Sequence, residues 1–265
     1  LLRQLGFFLR ACYWPRARRT VERMIDAYDI DVVYGLNICN YVSPSIVDGA
    51  RSRGVPIVLR LSDFHFACPS FHFFRDGRVC TDCERDRTSA VRHACVQGSR
   101  VQSLARVLSM GVHDALRLYH RVDAFVCPST AMGEALERYG LPGERIHVVP
   151  SFVDLREPPR IRDEGFALSF GRLSREKGLD TLLEAWARLG ETAPPLVIAG
   201  EGPEGVALRT LATDLGLGDR VRFAGFLDRE GTYDLLARCA FTLIPSRWMD
   251  NAPMAGFERD RKSVV

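Results

Sequence analysis

The chain has 265 residues, 46% hydrophobic and 26% charged, with a formal net charge of +3 at pH 7. These proportions exclude collagen-like repeats, coiled coil and long-range disorder, and no apolar run approaches the roughly 20 residues of a membrane helix. A charge of +3 does not by itself point to a nucleic-acid partner, and none is expected. Lys occurs only at Lys177 and Lys262 among 36 basic residues, so a lysine kept at Lys177 in so arginine-biased a chain draws notice.

From position 31 short apolar runs alternate with amphipathic stretches. Asp31 to Gly35 reads as a strand, Val42 to Arg53 as a helix and Val55 to Leu59 as a second strand. A polar, Cys-rich insertion follows over about 63–98. Val101 to His120 then reads as a long helix, Val122 to Val126 as a strand, and Ser129 or Thr130 as the cap of a helix running to Tyr139. Ile146 to Val149 is a further strand. The Pro-containing stretch 151–165 reads as a linker, which makes 1–150 one domain and 166–265 another. In the second, strands are expected at Phe166 to Phe170, Leu196 to Ala199, Val221 to Ala224 and Phe241 to Ile244. Helices are expected over Leu179 to Leu189, Pro203 to Leu215 and Asp228 to Arg238. Near-continuous apolar strands alternating with helices predict parallel sheets covered on both faces. The fold class is therefore α/β, with two Rossmann-like domains facing a cleft.

Ligands in such sheets bind beyond the carboxyl ends of the strands, so the loops there are the candidate sites. The first C-terminal strand leads into Gly171-Arg172-Leu173-Ser174-Arg175-Glu176-Lys177-Gly178. Gly171 lets a ligand approach the backbone, and Arg172 and Lys177 put two cations at the start of a helix, whose free amides favour anions. This is a candidate diphosphate site. Gly200-Glu201-Gly202-Pro203-Glu204-Gly205 matches a dinucleotide fingerprint literally, but it follows the second strand of its domain rather than the first. It reads as a Gly-rich turn, with Pro203 at the first helical position. The last strand opens into Pro245-Ser246-Arg247-Trp248-Met249-Asp250-Asn251, and Glu258 follows Asp250 by eight positions. Two acids so spaced can contact two parts of one elongated ligand.

This order of motifs resembles the nucleotide-sugar domain of family 4 glycosyltransferases of the GT-B fold, densely from about Phe166 to Glu258 and more loosely before that. Asp250 stands where the family's Glu-x7-Glu segment has its first Glu. The resemblance implies retaining transfer of a sugar from a nucleotide-diphospho-sugar (UDP- or GDP-linked) to a glycan or lipid-linked acceptor, with no catalytic metal. It implies that Arg172 and Lys177 bind the diphosphate, Glu258 the ribose, Asp250 and the Asn251 region the transferred sugar, and the backbone near Leu227 the base. The family often has His-Asp after the strand ending near Leu61; here the residues are Ser62-Asp63, with His65 two further on as the candidate substitute. The family also has further strands before and after the residues seen here. The chain, which starts at Leu1 without a signal-peptide pattern, is accordingly expected to be a fragment whose unpaired sheet edges leave it with poor turnover. Two other readings stand beside the enzyme: a nucleotide-sugar-binding protein without turnover, and a nicotinamide-dependent oxidoreductase resting on the Gly-rich hexamer alone.

Cys68, Cys80, Cys83 and Cys95 are spaced by 11, 2 and 11 residues, with one Cys-x-x-Cys knuckle. A structural zinc tetrad, free thiols, and a redox or disulfide role are all open readings of this cluster. Cys12, Cys39, Cys127 and Cys239 are scattered, and a reducing cytoplasm is expected. The N-terminal stretch mixes Phe7, Phe8, Tyr13 and Trp14 with Arg3, Arg10, Arg16, Arg18 and Arg19. Peripheral membrane contact and a packed surface helix are both open there.

Overall fold

The computed structural model describes residues 2–36, 38, 42–151 and 163–249. The chain divides into two compact units, one of Leu1–Arg75 with Cys80–Pro150, the other of Asp76–Val79 with Ser151–Val265.

In the first unit, helices α1 (Leu2–Cys12) and α2 (Pro15–Tyr28) precede strand β1 (Val33–Leu36), helix α3 (Ser45–Arg51) and strand β2 (Ile57–Arg60). Helix α3 starts later than the sequence predicts. Ser43 is in a left-handed conformation (φ 74°) that no helix continues through, and its hydroxyl accepts from the Ser45 and Trp14 amides, 3.2 Å each. After β2 the chain runs through the short strands β3 (Phe74–Arg75) and β4 (Arg78–Val79), the second of which is grouped with the other unit, and then a 3₁₀ turn at Asp82–Glu84 and helix α4 (Ser89–Arg92). Helix α5 (Arg100–Ala115) ends five residues before the expected His120, because Arg117 turns left-handed (φ 50°). Strand β5 (Ala124–Cys127), helix α6 (Thr130–Arg138) and strand β6 (Ile146–Val148) complete the unit. Ser129 caps α6, its hydroxyl accepting from Met132 N at 3.3 Å. The sheet is parallel in the order β1-β2-β5-β6. Ile57 and Leu59 of β2 and Phe125 and Cys127 of β5 are fully buried in it.

The second unit holds β7 (Ala167–Phe170), α7 (Leu179–Leu189), β8 (Leu196–Ala199), α8 (Gly205–Asp214), β9 (Val221–Gly225), α9 (Arg229–Arg238) and β10 (Phe241–Thr242). Its sheet is parallel in the order β10-β7-β8-β9. Strand alternation divides the core in two. Ala167, Leu196 and Ile198 face Leu182, Leu183, Trp186 and Leu208 of α7 and α8. Leu168, Val197 and Ala199 face Leu235 and Leu236 of α9. The expected Leu179–Leu189 stripe is buried except at its last member, Leu189, and the Trp186 indole donates to Pro194 O at 2.9 Å. Pro203 is not the first helical residue, as expected, but lies in the turn before α8. The expected linker falls largely outside the described residues, which resume at position 163.

Candidate functional site

In the second sheet, β8 and β9 extend to one side of β7, and the chain then crosses back to place β10 on the other. That reversal makes the gap between the loops after β7 and β10 a topological switch point, where ligands of open α/β sheets settle.

The loop after β7 is fixed by backbone bonds to its neighbour. Gly171 N donates to Ala199 O at 2.9 Å, Leu173 N to Glu201 O at 2.9 Å and Glu204 N to Leu173 O at 3.0 Å. The loops lie so close that a Cβ at Gly200 would stand 2.9 Å from the Gly171 carbonyl carbon and nearer still to its oxygen. A Cβ at Gly202 would meet the Leu173 carbonyl in the same way. Gly200 also has φ +131°, a conformation only glycine adopts freely. The glycines of the hexamer are thus used to seat one loop on another. The nicotinamide reading loses the one feature it stood on.

Against these loops lies an open cavity of about 450 Å³ at the strand ends, bordered by Gly171, Arg172, Glu201, Leu227, Arg229 and Tyr233 among others. Three of the expected site residues, Gly171, Arg172 and Leu227, therefore share one cavity. Asp228 caps α9 at its rim, with its carboxylate accepting from Gly231 N at 2.8 Å.

Beyond Arg172, a 3₁₀ turn (Arg175–Lys177) carries Lys177 to the start of α7. The loop after β10 closes on this turn. Arg247 N donates to Glu176 O at 2.9 Å, and its guanidinium donates to Arg175 O at 3.0 Å and to the Asp180 carboxylate at 2.9 Å. The Lys177 ammonium lies over the Trp248 indole, 5.1 Å from its centroid. The sequence places Arg247 and Trp248 in the loop after a strand but by itself gives neither a task. The signal was present in the placement of both after a strand. Asp250, Asn251 and Glu258 lie outside the described residues.

In the first unit His65 is buried in the loop after β2. Its Nδ1 is 2.6 Å from Asp63 Oδ1, its amide donates to the same oxygen at 3.0 Å, and Arg106 donates to its carbonyl. Burial alone would raise the Asp63 carboxyl, but the bonds from His65 outweigh it and hold the acid below its ordinary range. An ionised Asp63 makes Nδ1 the protonated ring nitrogen, which leaves Nε2 an acceptor in the neutral imidazole.

Cys68, Cys80, Cys83 and Cys95 are free thiols, as are Cys12, Cys127 and Cys239; Cys39 lies outside the described residues. Burial first, then the charges of Cys68, Cys95 and Cys80, push the Cys83 thiol up to about 12, so the four lie within one another's field. Among the described residues, however, no three Cys, His, Asp or Glu side chains are arranged as metal ligands, so the expected zinc tetrad is not assembled. No described helix is long and apolar enough to cross a membrane.

The Glycosyltransferase Family 4 profile matches residues 3–157 and the Glycosyl transferases group 1 profile residues 153–258. An uncharacterized glycosyltransferase of Bacillus subtilis, YqgM, is 36% identical over 137 residues, which is 49% of this chain and 38% of that protein. The lipopolysaccharide core biosynthesis glycosyltransferase LpsE of Rhizobium meliloti is 36% identical over 121 residues, 43% of this chain and 35% of its own. Among solved structures, Anabaena HepE in complex with UDP and glucose aligns with TM-score 0.61 and 19% identity, covering 92% of this chain and 60% of that one. The chain thus matches under two fifths of the length of those two relatives. The likeness to HepE bears out the GT-B fold class, and with one profile spanning more than half of its length the chain belongs to glycosyltransferase family 4.

Proposed function

We propose that the C-terminal unit binds a nucleotide-diphospho-sugar at the carboxyl ends of β7, β8 and β9, and that the protein transfers the sugar, with retention, to a glycan or lipid-linked acceptor. The observation that carries this reading is the cavity shared by Gly171, Arg172 and Leu227, with Lys177 on the next turn at the switch point. In it, the base lies along the backbone at Leu227, and Arg172 and Lys177 meet the diphosphate. As the anomeric bond breaks, negative charge builds on that diphosphate, and two fixed cations stabilise it more than they stabilise the donor. Asp250 with Asn251 would hold the transferred sugar, Glu258 the ribose, and the Nε2 of His65 a sugar hydroxyl. UDP, found in the HepE complex, supports a uridine donor over a guanosine one. Residues 1–150 are assigned to the acceptor side, 151–165 to the linker and 166–265 to the donor side. A lipid-linked acceptor agrees with the part of LpsE in lipopolysaccharide core biosynthesis.

The acceptor side is proposed to work at the cytoplasmic face of a membrane. Leu9 of α1 and Val101, Leu104 and Leu108 of α5 are exposed on two packed helices, and arginines flank them in the sequence. Sedimentation with anionic but not neutral vesicles tests this. The four clustered thiols are proposed to close on a structural zinc. The support is the Cys-x-x-Cys spacing of Cys80 and Cys83 and their place on a turn directly after a hairpin. About one zinc per chain, lost with thermal stability in C83S, is expected; full stability without metal would leave them as thiols.

Thermal shift with UDP, GDP and NADH tests the donor reading. Stabilisation by UDP, less by GDP and none by NADH is expected. A shift with NADH alone would overturn it. Release of UDP from a panel of sugar donors, with and without acceptor extracts, then separates transfer from binding without turnover.

A further inference from the structure

Two adjacent residues of the loop after β10 contact the Arg175–Gly178 turn and the start of α7. Arg247 does so through its amide to Glu176 O and its guanidinium to Arg175 O and Asp180. Trp248 does so with its indole under the Lys177 ammonium. The backbones also touch. A Cβ on Gly178, which sits at φ +67°, would stand 3.2 Å from the Pro245 carbonyl carbon and nearer to its oxygen. The loops after β7 and β10, far apart in sequence, are therefore locked together across the switch point.

We propose that Trp248 is a positioning residue for Lys177, holding its ammonium over the indole so that the cation is set in place before a nucleoside diphosphate arrives. The inference rests on the donor-site reading above and extends it to a residue given no role there. A lysine side chain has four rotatable carbons and much rotamer freedom to lose when it meets an anion. Stacked on an indole face, which attracts a cation better than any other aromatic ring, Lys177 has lost part of that freedom already. The ring carries no charge and no hydrogen-bond acceptor, so it restrains the ammonium without competing for its three donors.

The chain has only two lysines, Lys177 and Lys262, so the contact can be read without ligand. In the lysine-selective NMR spectrum of the full chain, the Lys177 side-chain methylene beside the ammonium is expected upfield, shifted by the indole ring current. W248A should return it to the position of a free lysine, and W248F should keep part of the shift. Two lysine signals at the free position, unmoved by W248A, would overturn the proposal whatever the donor site does. In calorimetry, W248A should weaken UDP binding about two- to fivefold, the factor a cation–aromatic contact at an exposed site carries. Uridine, which lacks the diphosphate, should bind W248A and wild type equally. W248F should recover much of the UDP loss, and K177A/W248A should bind UDP no more weakly than K177A alone. Equal losses for UDP and uridine, or full additivity with K177A, would show Trp248 acting independently of Lys177. Wild-type protein that keeps the shifted resonance but binds neither ligand would instead refute the donor-site reading, and with it the role in diphosphate binding.

Discussion

Replacing Gly200 by Ala should destabilise the C-terminal unit by about 2–6 kcal/mol. Two costs add. The backbone at φ +131° belongs to a region that only glycine occupies freely, and forcing a side chain into it costs about 1–3 kcal/mol. The new Cβ would also sit 2.9 Å from the Gly171 carbonyl carbon, and overpacking of that kind costs about 1–3 kcal/mol. The neighbour is backbone rather than the flexible end of a side chain, so relief requires moving Gly171 and Arg172 themselves. Weakened UDP binding is expected alongside the lost stability. Gly205, the last glycine of the same hexamer, is the control. A Cβ there meets only Leu173 Cδ1 at an ordinary 3.7 Å, and Ala is a better helix former than Gly, so G205A should be neutral or stabilising by up to about 1 kcal/mol. Urea unfolding followed by the fluorescence of Trp186, which is buried in the same unit, measures both. G200A within about 0.5 kcal/mol of wild type, or G205A as damaging as G200A, would refute the loop-on-loop account of the hexamer.

Further expectations concern charge and capping. R172A and K177A should each weaken nucleoside-diphosphate binding by about 1.5–3 kcal/mol, the loss of a charge-assisted contact, as read by calorimetry. D228A should cost the C-terminal unit about 0.5–2 kcal/mol in the same urea assay, since it removes the cap of α9. His113 of α5 donates to Ala11 O of α1 at 2.9 Å, and burial holds its pKa down to about 4 against an ordinary 6.5. The unfolded chain therefore binds the extra proton first as pH falls. Stability of the N-terminal unit should decline from about pH 6.5 to about pH 4, by no more than roughly 3 kcal/mol from this group. H113Q should flatten that part of the stability–pH curve, and an unchanged slope would remove His113 as its cause.

The sequence was most readable where periodicity and burial coincide. Leu179, Leu182, Leu183 and Trp186 mark one helix face, and the unbroken Leu196-Val197-Ile198-Ala199 can only be a strand covered on both sides. Element ends were less readable, because they turn on single backbone conformations such as those of Ser43 and Arg117, which have no strong residue preference behind them. Gly171, Arg172 and Leu227 come together because strand ends of one parallel sheet share an edge, and that much follows from the alternation of elements alone. The roles of Gly200 and Gly202 do not follow from it. They depend on how closely the β8 loop approaches the β7 loop, a distance that no local pattern encodes. Arg247 and Trp248 were hidden for the same reason: their partners lie some 70 residues earlier in the chain, across the switch point.

The central claim is that a nucleoside diphosphate sits at the carboxyl ends of β7, β8 and β9. Amide hydrogen exchange of the 265-residue chain, with and without saturating UDP, tests it most directly. Two segments should gain protection together: 171–178, which holds Gly171, Arg172 and Lys177, and 226–233, which holds Leu227 and Tyr233. Protection confined to the N-terminal unit, or binding of UDP that leaves both segments exchanging as before, would contradict it.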